Sequence, residues 1–143
     1  MSPLIKHPKR RGEWVELQFM ARATSHDLVC SKPWGDSCAY DNVTDYRGLF
    51  NRIQIKSSSY RSRSPRGQFY GYPCNTRPPS RRNTYAGKID FFAFYLVPED
   101  LWYIIPISAL RPGRSTCAIH LNPHNPRSFY SKYLEAWHLL KKK

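Results

Sequence analysis

The sequence predicts a single α/β domain built around a mixed sheet, and three patterns carry that expectation. Residues 10–28 place apolar side chains at helical spacing, and residues 49–58 alternate apolar with polar ones. Two aromatic-rich runs, 89–97 and 101–107, read as strands covered on both faces. A chain of 143 residues suits one domain that buries a core without staples. Its hydrophobic share of 41% and aromatic share of 15% are too high for a chain disordered throughout.

Taken in order, residues 1–9 are basic and hold Pro3 and Pro8, so a flexible arm is expected before a domain spanning 10–143. From Arg10 to about Leu28, Trp14, Leu17, Ala21 and Leu28 recur at three, four and seven residues and predict one apolar stripe on a helix. Leu28–Ser31 reads as a short extended segment, and the Lys-Pro-Trp-Gly-Asp run that follows is turn chemistry, with Asp36 bonding backbone. Tyr40–Tyr46 and Leu49–Ser58 predict a hairpin turning at Tyr46-Arg47-Gly48. In its second strand Leu49, Ile53 and Ile55 share one face, while Arg52, Gln54 and Lys56 share the other. One face should meet a core and the other should be a polar working face. Ile89–Val97 and Leu101–Ile107 are joined at Pro98-Glu99-Asp100. Ser128–Leu140 predicts a closing helix that packs through Tyr130, Leu134 and Trp137, with Tyr133 a weaker member of that face.

Charge narrows the function. Twenty-three Lys and Arg against ten Asp and Glu give +13. A field so basic attracts polyanions, of which nucleic acid is the commonest in a cell. No apolar run reaches the ~20 residues that cross a bilayer, and the first residues hold no apolar central stretch. The expectation is a soluble protein with no membrane partner, not secreted, cytoplasmic and nucleoid-associated in the bacterial manner. Cys30, Cys38, Cys74 and Cys117 form no Cys-x-x-Cys pair and read as free thiols. Cys117, His120 and His124 offer three zinc ligands, but Asn122-Pro123 and Asn125-Pro126 break any helix there and no fourth ligand is near. A surface loop is the simpler reading.

Residues 57–88 break the strand pattern with Pro65, Pro73, Pro78 and Pro79 and predict a long basic loop. Arg61, Arg63, Arg66, Arg77, Arg81, Arg82 and Lys88 lie in it, and no acidic residue occurs from 46 to 89. These cations suit phosphate contacts on DNA, and some could read guanine edges. Tyr60, Phe69, Tyr70, Tyr72 and Tyr85 interleave with them and suit either base stacking or packing the loop down.

The chemistry gathers on the hairpin. Asp41 on the first strand and Gln54 on the second are spaced so that pairing sets them side by side, and Lys56 lies on Gln54's face about 6.6 Å along. Asp41, the Gln54 side-chain oxygen and the Ile55 carbonyl offer oxygen ligands to a hard cation such as Mg²⁺, with Mn²⁺ as a substitute. Glu16 on the first helix would complete the set, with Glu13 one turn earlier competing for that role. Lys56 would orient a water or stabilise charge on a phosphoryl group. Such a patch suits phosphodiester hydrolysis.

Gly12-x-x-x-Glu16, Asp41 and Gln54-x-Lys56 resemble the signature of the PD-(D/E)xK nuclease superfamily. The wider string GEWVELQFMARATSHDLVCSKPWGDSCAYD, with IQIKSSS and PEDLWYIIP, is similar to the restriction-like homing endonucleases associated with group I introns. The resemblance covers roughly residues 10–107, and the closing AWHLL is in keeping with it. It implies a restriction-endonuclease-like αβββαβ core and metal-dependent cleavage of double-stranded DNA. It also implies catalytic roles for Glu16, Asp41, Gln54 and Lys56. Gln54 stands where the superfamily carries Asp or Glu, which removes a negative charge, and Ala39-Tyr40 replaces the usual Pro before the aspartate. One site per chain cuts one strand, so a homodimer or homotetramer is expected. A Holliday-junction resolvase-like nuclease and a catalytically inactive DNA-binding protein of the same fold remain the alternatives.

Overall fold

The computed structural model describes residues 4–63, 65–67, 69–78, 84–110 and 118–143. Among them are one α-helix, α1 (Pro8–Ser25), and eight strands: β1 (Val29–Ser31), β2 (Asn42–Tyr46), β3 (Leu49–Ser58), β4 (Ser62–Arg63), β5 (Phe69–Asn75), β6 (Phe91–Leu96), β7 (Leu101–Pro106) and β8 (Ala118–Leu121). The main sheet runs β1-β2-β3-β6-β7, with β3 and β6 parallel and the other pairs antiparallel. A smaller sheet, β4-β5-β8, covers part of it. This is the mixed sheet of the predicted α/β class.

Helix α1 starts at Pro8, whose missing N–H costs nothing in a first turn. It packs through Val15, Phe19 and Ala23, with Trp14 and Met20 half-buried beside them. The predicted stripe is therefore rotated: Leu17 is 60% exposed and Ala21 is exposed. Steps of four residues set the Phe19 ring 5.5 Å from Trp102 and 5.6 Å from Trp137, aromatic contacts that lie far away in sequence.

The hairpin forms as predicted. Arg47 (φ 52) and Gly48 (φ 89) both take positive φ, as a two-residue turn matched to strand twist demands, and the Gly48 N–H donates to Asp45 Oδ1 at 2.8 Å. Ile53 and Ile55 are buried beneath α1. Strands β6 and β7 are covered on both sides as expected. Ala93, Tyr95, Trp102 and Ile104 face the α1 core, and Phe92, Phe94, Tyr103 and Ile105 face a second core.

Two expectations are corrected. The long basic loop over 57–88 is not seen as such: the segment contains β4 and β5, and Tyr72 and Cys74 are fully buried in the second core. Among the described residues, the crossover from β3 to its parallel neighbour β6 thus holds strands where the αβββαβ pattern has a helix. Pro73 sits in β5 beyond the β4 pairing at Ser62↔Gly71, where the described residues supply no partner strand on that side. Such an edge tolerates a missing N–H. The predicted closing helix is replaced by two 3₁₀ turns, Ser131–Tyr133 and Trp137–Lys141. Between them Leu134 bridges to Tyr103, and Glu135 adopts φ 50. The edge of β7 captures this backbone: the Glu135 N–H donates to the Trp102 carbonyl at 2.7 Å. The Glu135 carboxylate accepts from the Trp102 N–H at 2.8 Å and from Trp137 Nε1 at 2.7 Å. Tyr130 and Trp137 are buried as predicted, Leu134 is half-buried, and Leu140 is buried as well.

Candidate active site

The β2–β3 register builds the site. Asn42 pairs with Ile53, so one step further sets Asp41 opposite Gln54, just ahead of β2. The ladder continues there, since the Asp41 N–H donates to the Ile53 carbonyl at 2.8 Å. The Ile55 N–H in turn donates to Asp41 Oδ2 at 2.8 Å, which fixes the carboxylate over β3. Gln54 and Lys56 project on the same face, and its amide Nε2 lies 3.5 Å from the Ile55 carbonyl. Asp41, Gln54 and Lys56 line one cleft of about 510 Å³ together with Asp36, Tyr85 and Lys88.

Burial pushes the Asp41 carboxyl up to about 6. The Ile55 N–H opposes that rise, the Glu16 charge adds to it, and Lys56 and Lys32 pull it down. Burial also lowers the Lys56 ammonium from its ordinary value, opposed by the Asp41 charge, and Lys56 Nζ sits 5.5 Å from the Tyr85 ring centroid. Glu16 is half-buried on α1 and pairs with Lys32 Nζ at 2.5 Å. Glu13 is exposed on the same helix, its charge felt at Lys32. Of the two helix carboxylates, Glu16 is the one whose charge is registered at Asp41.

The predicted DNA contacts fall in different places. Lys88 lines the cleft and Arg66 and Arg77 are exposed. Arg61 pairs with Glu99 at 3.0 Å and bonds the Tyr72 hydroxyl, and Arg63 donates to the Gly67 carbonyl at 3.1 Å. Arg81 and Arg82 lie outside the described residues, as does Cys117. His124 bonds Glu99 at 2.8 Å. Among the described residues no three His, Cys, Asp or Glu side chains form a metal cluster.

Lys32 and Tyr85 also reach this site. Motif spacing does not point to them. Tyr85 is one tyrosine among several in a basic stretch, and the signal for Lys32 is its place one residue past β1, whose register Ser31↔Val43 leads it level with Asn42, the neighbour of Asp41.

A fold with a parallel β3–β6 pair, a helix carboxylate and an Asp/Gln-x-Lys hairpin defines a class. The model of the PD-(D/E)XK endonuclease family matches residues 6–140, and the chain belongs to that family. Two solved structures are similar to it. A bacterial homing endonuclease, I-Ssp6803I, is 26% identical with a TM-score of 0.74, over 95% of this chain and 92% of that one. The Holliday junction resolvase Hjc of Archaeoglobus fulgidus is 17% identical with a TM-score of 0.61, over 93% of this chain and 98% of the other, and shares the fold. No curated protein sequence matches the chain.

Proposed function

We propose that the protein is a metal-dependent endonuclease that hydrolyses double-stranded DNA at specific sites in the manner of homing endonucleases. One observation carries this reading: Asp41, Gln54 and Lys56 converge in a single cleft, with Glu16 close enough to raise Asp41. The likeness to the bacterial homing endonuclease supports the site-specific form.

The donor set fits a hard divalent cation. Asp41, Glu16, the Gln54 side chain and the Ile55 carbonyl are all oxygen ligands, the kind Mg²⁺ and Mn²⁺ take. Asp41 is also held up near 6, chiefly by burial and then by the Glu16 charge, and a bound cation would favour its ionised form. When bound, the ion supplies Lewis-acid stabilisation of charge developing on the scissile phosphoryl group. The remaining work belongs to the chain. The Ile55 N–H fixes the Asp41 carboxylate, so the ligand is preorganised. Lys56, half-buried over Tyr85, donates hydrogen bonds to a phosphoryl oxygen or to the attacking water, and its partial desolvation strengthens them. Gln54 contributes an oxygen without a charge, which makes the site less anionic than one with a carboxylate there.

Lys88 at the cleft, with the exposed Arg66 and Arg77, offers phosphate contacts on the duplex. One cleft cuts one strand, so a dimer or tetramer of this chain would act on both. The decisive experiment is cleavage of a plasmid library in Mg²⁺ by wild type and Lys56→Ala, with a synthetic four-way junction run in parallel. The substitution should lower cleavage by ~10³-fold or more while duplex binding stays within about threefold. Equal cutting by both proteins, or no cutting by wild type in Mg²⁺ or Mn²⁺, sinks the reading. Preference for the junction over linear duplex would favour the resolvase alternative, which the likeness in fold to Hjc keeps in view.

A further inference from the structure

We propose that Lys32 is a removable counter-cation for Glu16, which a divalent ion must displace to complete the site. The inference rests on the metal reading above and adds to it a residue outside the Glu, Asp, Gln-x-Lys pattern.

Two lysines serve the two carboxylates, and they differ in kind. Lys56 is half-buried in the cleft over Tyr85. Lys32 stands on the outer side: its Nζ lies 2.5 Å from Glu16 Oε2, its side chain is 56% exposed and that of Glu16 is 23% exposed. The position is built by the fold. Strand β1 ends at Ser31 opposite Val43, so Lys32 is the first residue past the edge strand, level with the start of β2. The turn that follows is set by Gly35 at φ 75. The sheet has no β1 partner at Asp41, and the helix carboxylate and the loop ammonium meet at that open corner.

The physical need is plain. Glu16 and Asp41 repel each other, and Asp41 feels both the Glu16 charge and the Lys32 charge. An ammonium on Glu16 relieves that repulsion while no ion is bound and holds the side chain in one orientation. In this proposal a divalent ion claims Glu16 Oε2, the oxygen that Lys32 holds, and the pair opens. Exposure decides that it can: a solvent-exposed ion pair contributes little, whereas a buried one would resist exchange. The site therefore has one permanent cation, Lys56, and one that yields.

The test is Mn²⁺ binding to the full chain without DNA, followed by the loss of free-ion paramagnetic signal. Wild type, Lys32→Met, Lys32→Gln, Glu16→Gln, Asp41→Ala and the Lys32→Met/Glu16→Gln double variant are compared. Both Lys32 variants should bind Mn²⁺ about two- to fivefold more tightly, the range an exposed pair supports. That gain should vanish in the Glu16→Gln background. Unchanged or weaker Mn²⁺ binding by both Lys32 variants, with binding still dependent on Asp41, overturns this proposal and leaves the metal reading standing. Wild type that binds no Mn²⁺, or Asp41→Ala that binds as well as wild type, overturns both.

Discussion

Two aspartates lie on either side of β3 and have opposite surroundings. Asp90, just ahead of β6, is pushed up by burial, but bonds from Arg52 outweigh that and hold it below the ordinary range. The Arg52 backbone N–H donates to Asp90 Oδ2 at 2.7 Å, and its guanidinium donates to both oxygens at 3.1 Å. Asp41, on the other side, is pushed up to about 6 by burial, with one backbone N–H at 2.8 Å against it. Arg52 and Lys56 share a strand face two positions either side of Gln54, yet only Arg52 forms an ion pair with a carboxylate among the described residues. Glu99 repeats the Asp90 pattern: bonded first by His124, then by Tyr72 and Arg61, it too is held low. Asp90 and Glu99 each hold a bonded cation, whereas Asp41 holds one backbone N–H and forms no ion pair among the described residues. A carboxylate kept short of charge is disposed to take a cation.

Asp41→Asn breaks the comparison most sharply. Asp41 titrates near 3.8 when unfolded and near 6 when folded. Its contribution is therefore fully present below about pH 4 and lost as pH rises through about 6, a loss of ~3 kcal/mol by pH 8. The Asn variant should be more stable than wild type by roughly that amount in urea melts at pH 8 without metal. The gain should vanish below pH 4, while DNA cleavage is abolished. A variant less stable at pH 8 would contradict the burial argument.

Added Mg²⁺ sharpens it further. At about a hundredfold excess over its Kd, the ion should stabilise wild type by ~2–3 kcal/mol at pH 8. The gain should be much smaller at pH 5, where Asp41 is protonated. Asp41→Asn should lose most of this response, as thermal melts with and without chelator would show.

Asp90→Asn gives the smallest effect and the opposite sign. Removing a hydrogen-bonded charged partner should cost roughly 1–2 kcal/mol at pH 7. Because the folded value lies below 3.8, that contribution is present above the unfolded value and lost as pH falls through the folded one, so wild type and variant should converge in acid. Differential melts at pH 7 and pH 3 would measure it.

Local pattern revealed some elements and hid others for identifiable reasons. The hairpin was legible because alternation at Ile53 and Ile55 and the Arg47-Gly48 turn are local signals, and pairing register then follows from turn length. The rotation of α1 was not: Trp14, Leu17 and Ala21 fit helical spacing as well as Val15, Phe19 and Ala23 do. Only contact with Trp102 and Trp137 chooses between the two faces. Strand β5 was hidden by prolines and arginines, because Tyr72 and Cys74 become a buried face only once β8 pairs with them. The segment after Tyr130 has helical periodicity, but the free edge of β7 offers its backbone better partners.

The sequence by itself determined the charge, the hairpin, the aromatic central strands and the spacing that sets Asp41 opposite Gln54, since each depends on neighbours a few residues apart. Tertiary structure decided how the residues between β3 and β6 cross, which face α1 presents, and that Lys32 meets Glu16. Those outcomes depend on groups far apart in the chain competing for the same surface, and no local pattern records who wins.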